Sequence, residues 1–91
     1  MEQNENTAAV VRRLIVETLP KATNGDLRIF GQGAPLDSLG LVNFLADLEY
    51  RLGEQFGREF VLASERAMSR GRSPFRDVDA LTEYIMELLH E

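Results

Sequence analysis

The sequence predicts an all-α fold, a small four-helix bundle of three main helices and one short one. Three observations lead there. Apolar residues recur at helical spacing in three separate stretches, glycines and prolines punctuate the gaps, and no stretch of useful length alternates like a strand. With 91 residues the chain fits one domain spanning 1–91, whose core is adequate but not generous. Its opening, "MEQNEN", is expected to be a flexible lead-in over residues 1–6.

The first helix is expected between Thr7 and Leu19. Val11, Leu14, Ile15 and Leu19 form one stripe, with Arg12, Arg13 and Glu17 between them. Asn6 or Thr7 suits its start, and Pro20 forces an end near Thr18 or Leu19. A long connection follows over 20–37, containing Gly25, Gly31, Gly33 and Pro35. Loops of this length in small domains are functional or disordered. Leu27, Ile29 and Phe30 supply apolar anchors, so an ordered loop pinned to the core is expected.

The second helix should run from Ser38 to about Leu52. Val42, Leu45, Leu48 and Leu52 are assigned to its core side, Leu41 and Phe44 widen the stripe, and Asp47, Glu49 and Arg51 remain for solvent. Gly53 and Gly57 mark its end. Within 58–76 a short helix is expected over roughly Leu62–Met68, then a turn at Gly71 and Pro74. The last helix should span Asp77–Leu89, with Asp77 as cap and Val78, Leu81, Ile85 and Leu88 on one face. Asp79, Glu83 and Glu87 fall on another, wet face.

Composition narrows the function classes. There is no cysteine, so neither disulfides nor cysteine metal sites arise, and no metal site is expected. The one histidine, His90, stands next to the C-terminus and is expected to be exposed. No apolar run approaches the roughly 20 residues of a membrane span. The N-terminal residues carry acids without an apolar stretch, so no secretory signal is read and a soluble cytoplasmic monomer is expected. A net charge of −5 argues against nucleic-acid binding, which requires positive charge against phosphate. The charge is unevenly placed. Residues 51–76 hold six arginines and three glutamates, a local +3, while the remainder holds four bases and twelve acids, a local −8. An acidic body with a basic flank suits docking to more than one kind of surface.

Most catalytic constellations are missing. One terminal histidine gives no serine–histidine couple, "GQG" lacks the strand and spacing of a phosphate loop, and no calcium loop is visible. The chain is therefore not expected to be an enzyme. Attention falls on Asp37-Ser38, where the glycine- and proline-rich loop meets the second helix. Either residue can cap that helix. A phosphate ester on Ser38 would instead lie beside free amides at the positive end of the helix dipole. Asp37 could then hold a metal ion during phosphoryl transfer.

The stretch "PLDSLGLVNFLADLEYRLGEQFG" resembles the start of the second helix in acyl carrier proteins, whose motif is Asp-Ser-Leu ahead of an apolar helix. "SPFRDVDALTEYIMELL" is similar to their final helix, and the order of first helix and long loop also agrees, so the resemblance covers essentially the whole chain. It implies a four-helix bundle whose motif serine, Ser38 here, carries 4′-phosphopantetheine from coenzyme A, with Asp37 supporting the transfer. It also implies partners: a phosphopantetheinyl transferase, an acyl- or aminoacyl-loading enzyme, and enzymes that use the carried group in lipid or secondary-metabolite synthesis. The arm ends in a thiol that holds the cargo as a thioester. The resemblance further implies that the second helix docks partners, with Leu39, Leu41, Asp47 and Glu49 as candidates, although Leu39 and Leu41 fit core positions at least as well. Fatty-acid carriers often place acids where this chain has Gly40 and Asn43, and a glycine there resembles D-alanyl and other specialised carriers. A specialised acyl carrier is therefore the expectation, with an aminoacyl or peptidyl carrier, or an unmodified helical interaction module, as alternatives.

Overall fold

The computed structural model describes residues 3–19, 28–31, 33–62, 64 and 73–90. Among these the chain is helical, with three helices: α1 (Gln3–Thr18), α2 (Ser38–Phe56) and α3 (Val78–Leu89). No strand forms among the described residues, and the extended contacts are two isolated bridges, Arg28 with Asp77 and Phe30 with Leu36. The expected short helix over Leu62–Met68 falls largely on 63 and 65–68, outside the described residues, as do Gly71 of the expected turn and the anchor Leu27.

α1 begins at Gln3, a turn earlier than the expected cap at Asn6 or Thr7, because residues 3–6 contain no helix breaker. It stops at Thr18, ahead of Pro20, with Leu19 N–H donating to Ile15 O at 3.1 Å and the Thr18 hydroxyl to Leu14 O at 2.6 Å. α2 continues one turn beyond the expected end. Gly53 stays helical, and the stop is Gly57, in left-handed geometry at φ 67°, whose N–H donates to Gly53 O at 2.9 Å. A Cβ on Gly53 would stand 3.3 Å from Arg58 O, so this glycine lets the chain turn back closely along the helix. α3 starts as expected: Asp77 is its N-cap, and its Oδ1 accepts from Ala80 N–H at 2.7 Å.

α1 packs against both α2 and α3. The core takes Val11, Leu14 and Ile15 from α1, Leu41, Phe44, Leu45, Leu48 and Leu52 from α2, and Val78, Leu81, Tyr84 and Ile85 from α3. Ile29, Phe60, Leu62 and Phe75 close it from the connections. One core assignment is corrected. Val42 is 58% exposed. The buried residues of α2 follow i, i+4, i+7, i+11 from Leu41, and each residue turns the helix about 100°, which carries Val42 out of that stripe. Leu19 and Leu88 sit at the core's edge, partly buried.

On the outside, Arg12 of α1 pairs with Asp79 of α3 across exposed surface, a contact that adds little stability by itself. No described helix is long and apolar enough to cross a membrane.

The difference between an inward and an outward α2 position gives a direct check on the packing. Leu48→Ala is expected to lower unfolding free energy by about 2–5 kcal/mol, whereas Val42→Ala stays within about 0.5 kcal/mol. Urea denaturation of both variants reads this, and equal losses would place Val42 back in the core.

Candidate functional site

The start of α2 is held by what precedes it. Ile29 is fully buried, and its backbone is used on both sides: its N–H donates to Arg76 O at 2.9 Å, and its carbonyl accepts from Leu36 N–H at 3.2 Å. Between them the chain turns through Gly31 and Gly33, at φ 122° and 81°, closed by Ala34 N–H donating to Gly31 O at 3.0 Å. The turn returns at Leu36, so Asp37 and Ser38 are presented from a fixed loop end.

Asp37 takes an extended conformation and is the N-cap of α2. Its Oδ1 accepts from Gly40 N–H at 2.8 Å, and its backbone carbonyl accepts from Leu41 N–H at 2.9 Å as the first bond of the helix. Ser38 is the first helical residue and is exposed. The cap is therefore Asp37, which leaves the Ser38 hydroxyl uncommitted among the described contacts. Ser38 and Leu39 N–H have no acceptor within the helix, as is general for the first helical positions, and the helix dipole is positive there.

Gly40 has a steric reason. A Cβ there would meet Asp37 Oδ1 at 3.1 Å and Leu36 Cδ2 at 3.3 Å, tighter than ordinary van der Waals contact. The glycine gives the capping carboxylate and the half-buried Leu36 room to fold over the first turn.

The other described serines have structural partners. The Ser64 hydroxyl lies 3.4 Å from the Tyr84 hydroxyl, and Ser73 Oγ accepts from Phe75 N–H at 3.1 Å just ahead of α3. Ser69 lies outside the described residues.

The expected docking residues of α2 divide. Leu39 is 70% exposed and Asp47 is exposed, both on the outer face. Leu41 takes the core alternative and not the docking one: at 5% exposure it faces inward and is closed to a surface partner. Glu49 is half-buried rather than left for solvent, because its Oε2 accepts from Leu62 N–H at 2.6 Å and ties the returning chain to α2. Two exposed apolar side chains were not anticipated there, Val42 and Tyr50, the latter 70% exposed. The signal was present in the wheel. With Leu41, Leu45, Leu48 and Leu52 inward, positions 39, 42, 46 and 50 must point outward. His90 is exposed and ends α3, its N–H donating to Met86 and Glu87 carbonyls.

Comparison of the chain with known protein families, curated proteins and solved structures finds no match.

The division of labour between Asp37 and Ser38 is measurable. Asp37→Ala is expected to cost about 1 kcal/mol through loss of the cap, and Ser38→Ala less than about 0.5 kcal/mol. Thermal or urea unfolding of the two variants compares them directly. A larger loss for Ser38→Ala would make serine the cap.

Proposed function

We propose that this chain is a specialised acyl carrier of four-helix, acyl-carrier type, with Ser38 as the attachment point for 4′-phosphopantetheine. The observation that carries the reading is an exposed hydroxyl at the first position of α2 whose capping duty is performed by its neighbour. Such a hydroxyl is open to a transferase, and the fold does not need it.

The residues present fit the group. Ser38 Oγ would bond to the phosphorus on the pantetheine side of coenzyme A as the pyrophosphate bond breaks, adenosine 3′,5′-bisphosphate leaving and the serine proton passing to a base of the transferase. The unpaired amides of the first turn and the helix dipole favour the phosphate's negative charge. Gly40 keeps that end of the helix free of side-chain bulk. Asp37 commits one carboxylate oxygen to the cap, so any support it lends to the transfer falls to the other. Once bound, the arm supplies a thiol that holds an acyl group as a thioester. The chain itself contributes tethering, which raises the effective concentration of cargo at each partner.

On this reading the partners are a phosphopantetheinyl transferase, a loading enzyme and the enzymes that take up the cargo, in the cytoplasm where coenzyme A is present. Gly40 does not sort acyl from aminoacyl cargo, since the room it gives Leu36 and Asp37 is needed with either. The exposed α2 face favours a second reading, a helical interaction module that works without any arm.

Intact mass separates the two. Incubated with coenzyme A and a broad-specificity phosphopantetheinyl transferase, the chain is expected to gain one phosphopantetheine. Ser38→Ala should abolish the adduct, while Ser64→Ala and Ser73→Ala retain it. An unmodified wild-type chain, or an adduct surviving Ser38→Ala, refutes the carrier assignment.

A further inference from the structure

A run of backbone hydrogen bonds ties the start of α2 to the start of α3. Leu36 N–H donates to Ile29 O at 3.2 Å, and Ile29 N–H donates to Arg76 O at 2.9 Å. One residue further on, Asp77 bridges Arg28 through its backbone and then caps α3. Asp37 follows Leu36 just as Asp77 follows Arg76. The two helix caps therefore hang from the same extended stretch, 28–30.

The Asp77 side chain holds one end of this run. Its backbone is extended, at φ −156° and ψ 175°. Oδ1 accepts from Ala80 N–H at 2.7 Å, and Oδ2 lies 3.6 Å from Nε of the Arg76 guanidinium. The Asp77 carbonyl accepts from Leu81 N–H at 3.1 Å as α3 begins. The carboxylate thus grips the chain on both sides of the peptide that joins Arg76 to Asp77. That peptide carries the carbonyl on which Ile29 rests.

A shift there has one outlet. Ile29 is fully buried, and an unpaired buried amide costs more than a small movement of a loop, so its N–H follows Arg76 O. Leu36 N–H follows Ile29 O in turn, and Asp37 and Ser38 are the next two residues. The Ser38 side chain makes no hydrogen bond among the described contacts, so its hydroxyl inherits its place from this backbone.

Building on the carrier reading of Ser38, we infer that Asp77 is a positioning residue for the attack of the Ser38 hydroxyl, acting from α3 through Arg76, Ile29 and Leu36. Asp77 touches neither the hydroxyl nor the group transferred. Its effect falls on the chemical step, because a displaced nucleophile reacts slowly even when binding contacts elsewhere are kept.

The test follows transfer to Ser38 by intact mass. It uses the full chain, coenzyme A and a broad-specificity phosphopantetheinyl transferase, at a temperature where circular dichroism shows the variants folded. Asp77→Ala is expected to lower kcat about three- to tenfold with KM within about twofold. Asparagine caps as well as aspartate, so Asp77→Asn should return kcat to within about twofold of the unaltered chain. The weaker cap of Asp77→Thr should fall between, and it carries the test should alanine not fold. Leu89→Ala controls for general loss of stability. Leu89 packs at the core's edge roughly 17 Å along α3 from Val78, and its truncation should leave kcat within about twofold. Hydrogen exchange reads the tie without any transferase: the Ile29 amide should exchange about fivefold faster in Asp77→Ala than in Leu89→Ala. An unchanged kcat in Asp77→Ala, an equal loss in Leu89→Ala, no recovery in Asp77→Asn, or an Ile29 amide that ignores the cap overturns the positioning role and leaves Ser38 the attachment point. Absence of any Ser38 adduct on the unaltered chain overturns the carrier reading, and the positioning role falls with it.

Discussion

The short backbone crossing at Ile29 is the constraint on which the rest of the arrangement depends. One buried residue receives Leu36 on its carbonyl and reaches Arg76 with its amide. The first bond fixes where α2 begins, and the second ties that point to the residue before the α3 cap. Arg76 precedes Asp77, so two helix starts are set by one extended tripeptide over 28–30. Leaving a buried amide or carbonyl unpaired costs on the order of 1–3 kcal/mol, so these bonds cannot be released singly without penalty. The presentation of Ser38 is thus a property of the core as much as of its own loop.

The helices were legible in the sequence because their signals are local. Asp77 ahead of Val78, Pro20 after Leu19, and the repeats through Leu14 and Leu81 each act within a turn or two. The errors arose where a side chain's fate depends on distant chain. Gly53 read as a stop together with Gly57, yet it lies inside the helix, and its missing Cβ leaves room for the returning carbonyl of Arg58. Glu49 read as solvent-facing, yet Leu62 claims its carboxylate. Both contacts depend on the reversal at Gly57, and no local pattern announces where the chain goes after it.

The candidate site was legible to a finer degree than its surroundings, but one ambiguity needed coordinates. Asp-Ser before an apolar helix permits either residue to cap, and composition cannot choose. The extended backbone of Asp37 and its bond to Gly40 choose aspartate. The outer face of α2 was misread for a related reason. Leu41 and Val42 are adjacent, both apolar, and compatible with a broad stripe. A rotation of about 100° separates a core residue from a surface one. Only the buried neighbours Phe44 and Leu45 settle which is which.

Separating the cap from the hydroxyl has a consequence for how the chain tolerates change. Where one side chain both holds a helix and does chemistry, every alteration of the chemistry strains the scaffold. Here the side chain of Ser38 contributes no hydrogen bond among the described contacts, while that of Asp37 contributes the cap. A group placed at Ser38 would displace no side-chain bond of the fold, and a negatively charged one would be favoured by the amides and dipole at the start of α2. The site behaves as a detachable fitting on a finished frame, open to chemical relabelling through a cysteine at the same place without redesign of the protein beneath.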